Sequence, residues 1–132
     1  MKPEILIEYA IDAMGRAYAP YSGYKVGAAL LAADGAIYQG CNIENASFSP
    51  TICAERTAFA KAVSEGQREF TAIAVCGGRD GKIAGAFPPC GVCRQVLAEF
   101  CKEDFIIYVA GAEGSYASYT LEQLLPHSFR LD

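Results

Sequence analysis

Val26-Gly27-Ala28-Ala29-Leu30-Leu31-Ala32-Ala33-Asp34-Gly35-Ala36-Ile37-Tyr38-Gln39 is the stretch on which the fold class turns. Its first part, Val26 to Ala33, is continuously apolar and short, which suits a buried strand better than a helix. Asp34-Gly35 is a tight-hairpin signal, because both residues accept the positive φ that two-residue hairpin turns require. The stretch therefore predicts a strand over Val26–Ala33 paired antiparallel with a second over Ala36–Gln39.

Upstream, Ile7, Ile11, Met14 and Tyr18 recur at three- and four-residue steps, with Glu4, Glu8, Asp12 and Arg16 off that stripe. This is the period of an amphipathic helix, expected over Glu4–Tyr18 and stopped by Ala19-Pro20-Tyr21-Ser22-Gly23. Downstream, Gly40–Thr51 is rich in Asn, Ser, Gly and Pro and is expected to be an irregular loop. Ala54–Glu65 contains good helix formers and ends at Gly66. Thr71–Cys76 is a third buried strand, and the helix between strands suggests a parallel pairing. Gly91–Lys102 carries a helical apolar face of Val92, Val96, Leu97 and Phe100. Strands over Phe105–Val109 and Tyr116–Tyr119 follow, and Thr120 caps a short last helix through Leu125. The sum is an α/β chain: a three-layer α/β/α sandwich around a mixed five-stranded sheet, in one domain over residues 1–132.

Composition narrows the partners. The 132 residues are 52% hydrophobic and 20% charged, too apolar for a disordered chain. A chain of this length buries only about two thirds of the surface its unfolded form exposes, so self-association is a natural source of further burial. The net charge of −4, without a cluster of lysines and arginines, repels polyanions. Nucleic acids and anionic membranes are therefore poor partners, and small neutral molecules are better ones. No segment approaches the roughly 20 apolar residues of a membrane span. The first residues lack a signal-peptide pattern, which points to the cytoplasm, where six cysteines stay reduced.

Those cysteines carry the chemistry. Cys53-Ala54-Glu55-Arg56 and Pro89-Cys90-Gly91-Val92-Cys93-Arg94 both fall where a loop enters a helix. The positive end of a helix dipole and a nearby arginine favour thiolate, the form that binds metal. A Cys-x-x-Cys pair alone fits a structural zinc or a redox site as well. With Cys53 added, three thiolates are available, and three protein ligands leave the fourth position of a zinc open for water, as in catalytic sites. Three thiolates around a dication leave one negative charge, so Arg56 and Arg94 are assigned an electrostatic role toward the sulfurs. Glu55, two residues past Cys53, can reach water at such a site without ligating the metal. Nucleobase deaminases combine these parts: zinc on three Cys or on His and two Cys, a non-ligand Glu as acid and base, and Pro-Cys-x-x-Cys. Cys41, Cys76 and Cys101 lie among apolar residues and are read as small buried hydrophobes. His127, the single histidine, stands near the end of the chain and is excluded from the metal site.

Over nearly its whole length the chain resembles the small homotetrameric zinc-dependent cytidine deaminases. The resemblance is carried by Tyr21-Ser22, Val26-Gly27-Ala28-Ala29-Leu30, Gly40-Cys41-Asn42-Ile43-Glu44-Asn45-Ala46-Ser47, Cys53-Ala54-Glu55-Arg56-Thr57-Ala58, Pro89-Cys90-Gly91-Val92-Cys93-Arg94-Gln95-Val96, and Leu124-Leu125-Pro126 ahead of Phe129. It implies one zinc per subunit on Cys53, Cys90 and Cys93, and Glu55 as proton shuttle, first to N3 of the cytosine ring and then to the leaving amine. It implies a cytidine or 2′-deoxycytidine substrate and a place in pyrimidine salvage. Asn42 and Glu44 would hold the ribose 3′-hydroxyl, Tyr24 would pack on the base, and backbone groups of Ala54 and Cys90 would read its edge. Ala46, Phe48 and Phe129 would complete the site of a neighbouring subunit. Tyr24-Lys25 stands where the family usually has Phe-Pro, which adds a hydroxyl and removes a rigid residue. Phe48 stands where tyrosine is frequent, which removes a phenol from the sugar contact. Two rival readings are another aminopyrimidine nucleoside such as blasticidin S, and a structural-zinc interaction module closed by a fourth thiolate.

Overall fold

A computed structural model describes residues 1–85 and 87–131. The elements run α1 (Pro3–Met14), β1 (Lys25–Ala32), β2 (Ile37–Cys41), α2 (Ala54–Ser64), β3 (Phe70–Gly78), α3 (Gly91–Phe100), β4 (Ile106–Ala110), β5 (Tyr116–Thr120) and α4 (Leu121–Leu124). The sheet has the order β2-β1-β3-β4-β5. The hairpin forms, with Leu31 opposite Ile37 and Gly27 opposite Cys41, but its turn is one residue longer than the two-residue form: Ala32 N–H donates to Ala36 O at 2.9 Å, and of Asp34 and Gly35 only Gly35 takes a positive φ. β1 also pairs antiparallel with β3, β3 pairs parallel with β4, and β5 returns antiparallel to β4. The sheet is mixed, as expected. The strands on either side of α2 are not neighbours, however, because β1 lies between them; the parallel pair is the one joined through α3.

Alternation along the strands divides the core in two. Leu30, Ile73, Val75, Ile107 and Val109 face α2 and α3, where Ala58, Phe59 and Leu97 meet them. Ala29, Ala72, Ala74 and Cys76 face α1, where Leu6, Ile7, Ala10 and Met14 cover them. Helices thus cover both faces of the sheet. Two glycines set how close the helices come. A Cβ on Gly27 would overlap the backbone of Ala10 and Met14, and one on Gly40 would overlap that of Ala54 and Ala58. Helix α2 is therefore seated directly on β2, and a side chain at Gly40 would push it away.

Helix α1 differs from its expected course in two ways. It ends at Met14 rather than Tyr18, because Tyr18 is extended: its N–H donates to Asn42 O at 3.0 Å, and Glu44 N–H donates to Tyr18 O at 2.8 Å. Its buried face is Leu6, Ile7, Ala10, Ala13 and Met14, whereas Ile11 and Tyr18 are exposed. An alanine-lined sheet accepts small residues at close range, so Ala10 and Ala13 turn inward and the larger side chains turn out.

Candidate active site

Strand direction brings the two cysteine segments together. β2 and β3 run the same way, and α2 and α3 follow them, so both helices begin at the same end of the sheet. Cys53 is the N-cap residue of α2 and Cys90 that of α3; both are extended and neither side chain caps its helix. Cys93 points inward from the first turn of α3 and is buried. The Sγ atoms of Cys53, Cys90 and Cys93 lie within 4.8 Å of one another, with Cys53 and Cys90 3.8 Å apart. A tetrahedral zinc with bonds of ~2.3 Å spaces its sulfurs about 3.8 Å apart. The donor set thus fits zinc in spacing and in softness. Among the described residues, Cys41, Cys76 and Cys101 do not join this group. Cys76 and Cys101 are buried, and burial pushes their thiols up to about 11 and about 12, as inert core residues. Cys41 is half-buried on β2.

The thiols are not equivalent. Cys53 is held below the ordinary thiol range, first by a hydrogen bond from the Cys93 thiol and then by Arg56. Cys93 is raised by the same bond and by burial. Arg56 Nη2 donates to Cys53 Sγ at 3.7 Å and to Thr51 O at 3.4 Å, while its buried Nε has no partner. A cation in the first turn opposes the helix dipole. Its contact with sulfur accounts for its presence there. Arg94 is placed elsewhere: its guanidinium donates to Pro89 O and Leu124 O, both at 2.7 Å. It braces the backbone ahead of Cys90 and touches no sulfur.

Glu55 is 5% exposed, the one charged residue in the core of the described chain. Burial raises its carboxyl to about 7, the neighbouring Cys53 thiolate adds to this, and its own backbone N–H and Arg56 oppose it. Such a group gains and loses a proton near neutral pH. A cavity of about 210 Å³ opens over this centre, lined by Val26, Asn42, Ala54, Glu55, Phe87 and Cys90 among others. A second, of about 400 Å³, is lined by Tyr21, Ser22, Glu44, Asn45, Phe48 and Thr51, and Thr51 lines both.

Between the cavities, Asn42 and Glu44 order the backbone. Asn42 accepts from Val26 N–H and donates to Tyr24 O, each at 2.8 Å. Glu44 accepts from Tyr21 N–H at 2.9 Å and Ser22 N–H at 3.1 Å, and from the Ser22 hydroxyl at 2.5 Å. The Ser22 hydroxyl, and to a lesser extent the two backbone donors, hold the Glu44 carboxyl below its usual range against the opposing desolvation. Tyr24 does not line the sulfur cavity: Arg79 covers its ring at 4.5 Å from the centroid and Phe87 meets it edge-on at 5.4 Å. Ala46, Phe48 and Phe129 are exposed, the last two at 80% and 69%, and none reaches the sulfurs. Phe129 sits against α3, where Gln95 donates to its carbonyl at 3.0 Å. Ser22 carries part of the family resemblance without a role assigned to it, and Thr51 and Phe87 have none in the sequence reading. The available signal for Phe87 was an aromatic residue three positions before a cysteine ligand and directly ahead of two prolines.

A family model described as cytidine and deoxycytidylate deaminase zinc-binding region matches residues 1–109. Cytidine deaminase of Sporosarcina psychrophila is 50% identical over 129 residues, 98% of this chain and 92% of that protein. A crystal structure of cytidine deaminase from Burkholderia pseudomallei has a TM-score of 0.90 at 44% identity, covering 98% of this chain and 100% of that one. Blasticidin-S deaminase of Bacillus cereus is 30% identical over 125 residues, 92% of this chain and 87% of that protein. With three thiols at zinc spacing beside a buried glutamate, and these likenesses running from end to end, the chain belongs to the cytidine and deoxycytidylate deaminase zinc-binding family.

Proposed function

We propose that this protein hydrolyses cytidine and 2′-deoxycytidine to uridine and deoxyuridine, releasing ammonia, as a cytoplasmic enzyme of pyrimidine salvage. The observation that carries this reading is the placement of buried Glu55 in one cavity with Cys53 and Cys90, whose sulfurs and that of Cys93 have the spacing of a zinc site. A zinc ion held there supplies the Lewis acidity that activates water for hydrolysis. Glu55 takes the proton that water releases, delivers it to N3 of the base, and later carries the proton of the new C4 hydroxyl to the departing amine, leaving the C4 carbonyl. Oxygen is added at C4, the bond from C4 to the exocyclic nitrogen breaks, and the amine leaves as ammonia. Burial suits Glu55 to this work, since a carboxyl with a raised pKa both accepts and donates near neutral pH. Ala54 and Cys90, at the starts of α2 and α3, line the same cavity, and their backbone groups would read the base edge.

The two cavities, which share Thr51 in their linings, support the division of the substrate. A space of about 210 Å³ suits a pyrimidine ring, smaller than the roughly 300–1,000 Å³ of pockets for larger ligands. The ribose then lies toward Asn42 and Glu44, at the adjoining cavity. Part of that rim is open, and Ala46, Phe48 and Phe129 are exposed without a contact to the centre. A homotetramer in which these residues close a neighbour's site accounts for both. The domain is read as one unit over residues 1–132 whose net charge of −4 favours a small neutral substrate over polyanions; no described helix is long and apolar enough to cross a bilayer.

Ammonia release from zinc-loaded protein, measured over cytidine, deoxycytidine, cytosine and blasticidin S, tests the reading. Conversion of both cytosine nucleosides is expected. Turnover of blasticidin S with cytidine untouched would contradict it.

A further inference from the structure

The ring that lines the sulfur cavity among the described residues is Phe87, a residue outside the set that the family resemblance supplies. We propose that Phe87 is a base-packing residue, forming the aromatic wall against which the pyrimidine lies. This inference rests on the reading of a pyrimidine nucleoside as substrate.

Its backbone is unusually well fixed. Phe87 precedes Pro88, and Pro88 precedes Pro89, so both residues are held to extended conformations and the ring keeps a set distance from Cys90. The far end of this rod is pinned, since Arg94 Nε donates to Pro89 O at 2.7 Å and Arg94 N–H donates to Cys90 O at 2.9 Å. Gly77 on β3 lies against one edge of the ring, where a Cβ would stand in ordinary contact with Phe87 Cδ2 at 3.5 Å. The ring is then buttressed by Tyr24, edge-on at 5.4 Å and 64°. Tyr24 itself is committed on its face to the Arg79 guanidinium, which favours such a position over an aromatic ring. Phe87 is thus an aromatic surface at a fixed place beside Glu55, with a second ring behind it. A flat, uncharged pyrimidine is what such a surface selects.

Two measurements on the zinc-loaded full chain test this: steady-state kinetics with cytidine, and calorimetric binding of uridine, which reads the base contact without turnover. For Phe87→Ala, KM for cytidine and Kd for uridine are each expected to rise about tenfold or more, as loss of an aromatic–base contact does. Zinc content and kcat should stay within about threefold. Phe87→Leu, which keeps most of the volume and loses the ring, is expected to show the same direction and is the deciding variant where alanine impairs folding. KM and Kd within twofold of wild type in the folded variant would overturn the proposal, as would an equal loss of zinc and kcat. The two readings fail separately: wild-type protein inert toward cytidine overturns the reaction, whereas the shift in uridine Kd between wild type and variant still decides Phe87. Absence of uridine binding by wild-type protein overturns the base wall as well.

Discussion

Glu55 and Glu44 are two carboxylates with opposite surroundings and opposite uses. Glu55 is buried and its carboxyl is raised, so it is fitted to move protons. Glu55→Gln keeps the shape and removes that capacity. Zinc content is expected to stay at one per chain while turnover falls about 10²-fold or more, the usual worth of a positioned acid–base group; metal analysis alongside initial rates checks both. Glu44 is held ionised by the Ser22 hydroxyl and two backbone N–H groups, and fixes the turn at Tyr21-Ser22. Because its pKa is lowered in the folded chain, its stabilising effect is present above the unfolded value of about 4.3 and is lost as pH falls through the folded value. Urea midpoints of wild type and Glu44→Gln are thus expected to differ at neutral pH and converge on acidification. A constant gap down to low pH would remove the ionised carboxylate from the explanation. The roles of single residues were only partly visible in the sequence. Arg56 and Arg94 read alike, each following a cysteine, yet one reaches sulfur and the other two carbonyls. Rotamers and carbonyl positions separate them, and neither is written in residue spacing.

Among the elements, α2 matters most, because its first turn carries Cys53, Ala54, Glu55 and Arg56. Its seat on β2 depends on Gly40. Gly40→Ala forces a methyl into the backbone of Ala54 and Ala58. Overpacking of this kind costs about 1–3 kcal/mol, and here the displaced segment holds a ligand. Both the unfolding midpoint and the zinc affinity are expected to fall, as read by denaturation and by competition with a chelator. Lowered stability with unchanged zinc affinity would mean that α2 does not depend on this contact for its position. The strands, the hairpin and the starts of α2 and α3 were legible because apolar runs and turn residues act locally. The face of α1 was not, since a pattern search weights Ile11 and Tyr18 above Ala10 and Ala13, while the alanine-rich sheet rewards close approach. Its early end was equally hidden. Tyr18 leaves the helix for a backbone pairing with the distant segment at Asn42–Glu44, and long-range pairing leaves no local signal.

The whole molecule exposes Phe48, Phe129, Tyr18 and Tyr21, an apolar load that the proposed assembly would cover. Sedimentation at several concentrations is expected to give a species of four chains. Phe129→Ala is expected to lower activity without lowering zinc content. A fully active monomer would contradict completion of the site by a neighbour. What makes the chain an enzyme instead of a zinc-bound interaction module is the number of sulfurs that reach the ion. X-ray absorption at the zinc edge of the loaded protein measures that number. Three sulfurs and one lighter oxygen donor are expected, at the spacing that Cys53, Cys90 and Cys93 already hold. Four sulfurs, or a zinc that survives unchanged in Cys53→Ala, would contradict the account.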